Sequence, residues 1–136
     1  MKNVFYSGGF LYNPVPKKIL LHKRDDKTQN NPNCWAFFGG LNEKNEVPLE
    51  TFQREVKEEL GIKLNLSSIY QLTDYFNPDF STHRHVFYAY TKEVNNIQLN
   101  EGAGYGWFTL DEALKLDLTK RTRQDLLFFL KLKRKE

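Results

Sequence analysis

Apolar residues fall into short runs separated by polar, glycine- and proline-bearing stretches. Val4-Phe5-Tyr6 and Phe10-Leu11-Tyr12 flank Ser7-Gly8-Gly9 and predict one strand, bulged or closely approached at the glycines. Asn13-Pro14-Val15-Pro16 reads as a turn, and Lys18 to Arg24 as a second strand that returns as a hairpin. Residues 25–33 form a polar loop. Cys34 to Phe38 predicts a short strand ended by Gly39-Gly40. After a polar loop over 41–47, Pro48 opens a helix, where its missing N–H costs nothing. Leu49, Phe52, Val56 and Leu60 recur every three or four residues as its inner face, and Gly61 is its stop.

Further on, Ile69 to Phe76 and His85 to Thr91 predict two strands joined by a turn at Asn77-Pro78-Asp79, and Tyr105 to Phe108 another. Thr109-Leu110-Asp111-Glu112 has the capping-box pattern and predicts a short helix to about Leu116. Thr122-Arg123-Gln124-Asp125 repeats that start signal for a last helix carrying Leu126, Leu127, Phe129, Leu130 and Leu132. With no internal repeat and no interdomain linker, the chain reads as one domain over 1–136. Alternating strands and helices predict a layered α/β or α+β architecture.

Composition narrows the class. The chain has 136 residues, 40% hydrophobic and 15% aromatic, enough for a sizeable core. Charged residues make up 27%, which argues against wholesale disorder. A net charge of +3 does not call for a nucleic-acid partner. Cys34 is the single cysteine, so no intramolecular disulfide forms and a reducing compartment is expected. No apolar run approaches the roughly 20 residues that span a bilayer. The N-terminus meets Gly8-Gly9 before any long apolar stretch, unlike a signal peptide. The expectation is a cytoplasmic protein without a membrane partner.

Candidate chemistry concentrates in residues 39–62. Glu55, Glu58 and Glu59 sit at i, i+3 and i+4 and share one helical face. Three like charges on a stripe weaken a helix by a few tenths of a kcal/mol per pair, and divalent cations would relieve that repulsion. Oxygen-only ligands select hard ions, so Mg2+ or Mn2+ is expected. Arg54 lies four residues from both Glu50 and Glu58 and could hold a carboxylate bidentately. Gly39-Gly40 permits a tight turn, a metal-facing carbonyl and close approach of a phosphate.

The fixed positions Gly40, Glu46, Arg54, Glu55, Val56, Glu58, Glu59, Gly61 and Ile62 stand at the spacing of the box that defines the Nudix hydrolases, and the chain resembles that family. Trp35 and a hairpin with a basic end, Leu20 to Arg24, extend the likeness. Phe38 replaces the proline usual before the glycine pair. The resemblance implies a mixed β-sheet sandwiched between helices. It also implies hydrolysis of a nucleoside diphosphate linked to another moiety, by water attacking phosphorus within the pyrophosphate link.

Carried over by this resemblance, Glu58 and Glu59 would be metal ligands with the Gly39 carbonyl beside them. Glu55 would be a ligand or the base that deprotonates water. Arg54 would orient a box glutamate, and Glu46 would tie the loop to the helix, which ends at Gly61. A later glutamate completes the site in several relatives. Glu101, before Gly102-Ala103-Gly104, is the candidate, as ligand or base, with Glu93 a rival. Phe5, Tyr6, Phe37, Phe76, Tyr105 and Trp107 are candidates to wall a base pocket, Phe37 and Tyr105 foremost. Arg24 and the Gly40 backbone are candidates for phosphate contact. His22, Lys23, His83, Arg84 and His85 could hold phosphates or a ribose. The three histidines lack cysteine partners and present no zinc pattern.

A small-molecule nucleotide is the expected substrate: a nucleoside triphosphate, ordinary or oxidised, or a nucleotide sugar. Relatives are commonly homodimers. A nucleotide-sensing module without turnover is one alternative. An RNA 5′-end pyrophosphohydrolase is another, supported by the basic tail Lys131 to Lys135.

Overall fold

The computed structural model describes residues 4–25, 32–91 and 104–134. Within these residues seven strands form one mixed sheet: β1 (Phe5–Asn13), β2 (Lys18–Lys23), β3 (Trp35–Ala36), β4 (Phe38–Leu41), β5 (Ile69–Asn77), β6 (Thr82–Tyr90) and β7 (Gly104–Phe108). The main order is β3-β2-β1-β6-β5, with β4 also paired to β1 and β7 to β2. The β1–β6 pairing is parallel and the others are antiparallel.

Side-chain alternation sends successive strand residues to opposite faces. Leu11, Leu20, Phe38 and Phe87 pack on one face against Phe52, Val56 and Leu60 of helix α1 (Pro48–Leu60). Phe10, Tyr12, Ile19, Leu21, Phe37 and Val86 pack on the other against Ala113, Leu126 and Phe129. These last three belong to α2 (Leu110–Leu114) and α3 (Lys120–Arg134). The helices therefore cover both faces of the sheet, in the α+β sandwich expected.

Helix α1 runs between the expected residues. Glu50 accepts from the Val47 N–H at 3.0 Å, and Gly61 closes the helix at φ 72°, its N–H donating to the Lys57 carbonyl. Thr109 caps α2 with the expected box. Strands β2, β5 and β7 match their expected spans to within a residue, and three other boundaries depart from the local signals. Gly39 and Gly40 do not end the strand; they lie inside β4, opposite Gly8 and Ser7 of β1. Strand β6 begins at Thr82 rather than His85, because its whole length pairs with β5 and β1. Helix α3 begins at Lys120, before the predicted start. The segment leading into it is anchored on the Trp35 backbone, whose N–H donates to the Asp117 carbonyl and whose carbonyl accepts from the Thr119 N–H. Thr122 and Asp125 are thus buried inside the helix rather than capping it.

Strand β5 carries a bulge between Gln71 and Thr73. An extra residue there reverses the alternation downstream. Asp74 then stands opposite His85, and Tyr75 opposite Arg84.

Candidate active site

Arg54 is the hub of the acidic segment. Its Nε–H donates to Glu46 Oε2 at 2.6 Å and an Nη2–H to Glu46 Oε1 at 3.1 Å. Nη1 donates to Glu55 Oε1 at 3.2 Å and to both Glu58 oxygens at 3.1 Å. Nη2 also reaches the Leu41 carbonyl at the end of β4. One guanidinium thereby joins the strand end, the loop and two helical glutamates. Of its two helical neighbours at four residues, Arg54 takes Glu58, while Glu50 turns to the Val47 N–H.

Glu46 is saturated as an acceptor. Besides Arg54, its Oε1 accepts from the Glu43 N–H at 2.7 Å and the Thr51 hydroxyl at 2.9 Å. The Arg54 bond foremost, set against some burial and aided by the Glu43 N–H and Thr51, lowers the Glu46 carboxyl to about 2. The same carboxylate holds Arg54 above its ordinary value.

Glu59 points inward and is buried, with Oε2 accepting from the Gly39 N–H at 3.1 Å. Glu55 is mostly buried and Glu58 half exposed, so the stripe runs from core to solvent. The glycine pair serves close approach, not a turn. A Cβ on Gly40 would strike Glu55 Oε1 and lie 2.8 Å from its Cδ. A Cβ on Gly39 would strike the Ser7 carbonyl and lie 2.7 Å from the Tyr6 hydroxyl.

Tyr6 brings a phenol beside this corner. Burial, opposed by Arg84 and aided by Glu59, raises its pKa, so it stays a neutral hydroxyl. Arg84 lies 4.7 Å from the Tyr6 ring centre and 5.7 Å from that of Phe37. Its Nε–H donates to the buried Asp125 at 2.9 Å, and the Tyr75 hydroxyl donates to the other Asp125 oxygen at 2.7 Å. The sequence alone offers Tyr6 as an aromatic wall, Arg84 as a phosphate or ribose contact and Asp125 as part of a helix-start signal. The β6–α3 contact that unites them is non-local and leaves no local pattern.

The expected residues divide as follows. Gly39, Gly40, Glu46, Arg54, Glu55, Glu58 and Glu59 come together. Phe37 is core, 3% exposed, and presents no open stacking face. Tyr105 is exposed on β7 opposite His22. Arg24 follows β2, its N–H donating to the Cys34 carbonyl. Phe76 is exposed at the end of β5, and Trp107 packs against the α1-side core. Glu101 and Glu93 lie outside the described residues. No described helix is long and apolar enough to cross a membrane.

This arrangement is similar to that of known proteins. A MutT/nudix family protein from Enterococcus faecalis shares 26% identity at TM-score 0.66, over 79% of this chain; the chain spans 44% of that protein. A MutT protein from Methanosarcina mazei matches at 22% identity and TM-score 0.77, covering 98% of this chain and 99% of its own. The NUDIX domain of Shewanella oneidensis NrtR, solved with ADP ribose, matches at 16% identity and TM-score 0.77, covering 100% and 90%. The family model described as NUDIX domain matches residues 7–128. With its acidic box intact around Arg54 and its sheet and helices in the family's arrangement, the chain belongs to the NUDIX domain family.

Proposed function

We propose that the chain is a divalent-metal-dependent pyrophosphohydrolase acting on a nucleoside diphosphate linked to another moiety. The substrate class we favour is a nucleoside triphosphate, ordinary or oxidised, or a nucleotide sugar. The observation that carries this reading is the Arg54 clamp, which fixes Glu55 and Glu58 beside a glycine pair with no room for a side chain. Such preorganisation suits chemistry that depends on positioning and charge. The ADP ribose held by the Shewanella domain supports a diphosphate-bearing ligand.

The donor set fits a hard cation: three carboxylates and a backbone carbonyl, all oxygen. Glu55, Glu58, Glu59 and the Gly39 carbonyl would hold Mg2+ or Mn2+, with Glu101 as a further ligand or base. When bound, the ion would neutralise phosphate charge and lower the pKa of water. The chain's own residues do the rest. A carboxylate oxygen of Glu55 or of Glu101 accepts the proton of the attacking water. Arg54 positions Glu55 and Glu58, and Glu46 anchors Arg54. The Gly39 N–H holds Glu59 in line. Gly40 and Arg24 meet the phosphates, and Tyr105 offers an exposed ring to the base. Phe37 acts from behind, as support for Arg84.

One domain over 1–136, a cytoplasmic setting and a homodimer complete this reading. The RNA-directed alternative is weakened at Lys133. That ammonium lies 5.5–5.7 Å from the ring centres of Tyr12, Tyr88, Tyr90 and Phe129 rather than standing alone in a basic tail.

The test is phosphate or pyrophosphate release from a panel of nucleoside triphosphates, oxidised nucleotides, nucleotide sugars, ADP-ribose and dinucleoside polyphosphates, with Mg2+ or Mn2+. Turnover should fall about a hundredfold or more in Glu58→Gln and Glu59→Gln while the fold survives. Full rate in both variants, or no turnover of any substrate by the parent chain, overturns it.

A further inference from the structure

A second group of ligand-type side chains lies outside the box. Asp74 of β5 and His83 and His85 of β6 each offer one donor atom, and the three atoms lie within 4.8 Å of one another. His83 and His85 are two residues apart on β6 and share a face, and Asp74 stands directly opposite His85. The β5 bulge makes this possible, because unbroken alternation from Tyr70 and Leu72 would turn Asp74 to the other face.

The group is already oriented. His83 Nε2–H donates to Asp74 Oδ1 at 2.7 Å, while Gln71 Nε2–H holds Asp74 Oδ2 at 2.7 Å. The Phe5 ring meets His85 edge-on at 5.2 Å and walls one side. The His83 and His85 ring centres are 4.8 Å apart. Solvent reaches the group, since the side chains of His83 and Asp74 are 43% and 44% exposed.

We propose that Asp74, His83 and His85 form a second metal site, for a divalent first-row transition ion of the Zn2+ type, separate from the box. Two imidazoles and one carboxylate suit Zn2+, Co2+, Ni2+ and Cu2+, whereas the all-oxygen box suits Mg2+ and Mn2+. Donor chemistry thus sorts two classes of ion on one domain. Bonds of about 2.0 Å place tetrahedral ligands roughly 3.3 Å apart. Small side-chain rotations bring the three donors to that spacing, and the His83–Asp74 contact opens slightly as the ion enters. The proton on His83 Nε2 is exchanged through solvent to Nδ1, which leaves a neutral ring with its Nε2 lone pair free for the ion. Three protein ligands leave an open position toward solvent.

The experiment is calorimetric titration of the metal-free full chain with Zn2+ in excess Mg2+, which occupies the oxygen-only site. One equivalent of Zn2+ should bind. His83→Ala and His85→Ala should each weaken uptake by about a hundredfold or more, since even orienting partners of a ligand are worth 10- to 100-fold. Asp74→Asn should weaken it less. Glu58→Gln should bind Zn2+ as the parent does, which keeps the result independent of the hydrolase reading. Co2+ substitution should give visible absorption bands that vanish in His83→Ala, and Zn2+ should shift the ring 15N resonances of His83 and His85 alone among the histidines. No Zn2+ uptake by the parent chain in Mg2+, or uptake by both histidine variants as tight as the parent's, overturns the proposal. Ring shifts at His22 in place of His83 and His85 would overturn it equally.

Discussion

Arg54 and Glu46 are joined at two points, Nε to Oε2 at 2.6 Å and Nη2 to Oε1 at 3.1 Å, so the loop entering α1 is bound to the second turn of that helix. The geometry needs a planar fork, which a lysine ammonium lacks. Arg54→Lys should therefore lower kcat by about ten- to a hundredfold with a smaller change in KM, because Glu55 and Glu58 lose their orientation. Steady-state kinetics on the best substrate checks this; an unchanged kcat would show that the clamp has no part in positioning.

The Glu46 carboxyl makes the same bond visible in acid. Its folded value of about 2 lies below the ordinary 4.5, so its stabilisation is complete above about 4.5 and fades as pH falls toward 2. In Arg54→Lys that extra acid sensitivity should shrink, as read from urea midpoints between pH 5 and pH 2.

Gly40 and Gly9 separate activity from stability. A Cβ at Gly40 meets the end of the Glu55 side chain, which can swing away, whereas a Cβ at Gly9 meets the Phe87 carbonyl, which cannot. Gly40→Ala should keep a melting temperature near that of the parent and lose most turnover. Gly9→Ala should cost about 2–3 kcal/mol by overpacking. Thermal melts beside rate assays decide it, and a strongly unfolded Gly40→Ala would contradict the mobile-carboxylate account.

His22 should govern stability in mild acid. Its Nε2–H donates to the Phe37 carbonyl at 3.0 Å, its Nδ1 has no partner among the described residues, and the ring stacks on Phe38. Burial, partly offset by the Phe37 bond, lowers its pKa to about 4 from 6.5. Between those values the unfolded chain holds the proton and the folded chain does not. Stability is thus complete above about 6.5 and is lost as pH falls toward 4, by at most about 3 kcal/mol. Denaturation of His22→Gln across this window should show a flatter profile than the parent.

Asp125 holds Arg84 and Tyr75 in place from α3. Removing the carboxylate strands a guanidinium that is only 11% exposed, so Asp125→Ala should destabilise by about 3–5 kcal/mol. Adding Arg84→Met should recover part of that loss by removing the orphaned charge. Equilibrium unfolding of the two variants at pH 7 tests the order; a double variant weaker than the single would refute it.

Local chemistry determined the box and its helix. Proline at the first turn, apolar residues three and four apart and a left-handed glycine stop each act within a few residues, so α1 and the acidic stripe were legible in the chain. The alternating strands were legible for the same reason, up to the irregularities. Tertiary structure decided what depends on distant partners. Gly39 and Gly40 read as a turn until β1 and Glu55 occupy the space where their side chains would be. Asp125 reads as a cap until β6 offers Arg84, 41 positions away in sequence. Asp74 reaches the histidines only because a single bulge reverses the face of β5. Periodicity tells which residues seek burial, but a sheet's register and the partner across it are set by contacts that no local window contains.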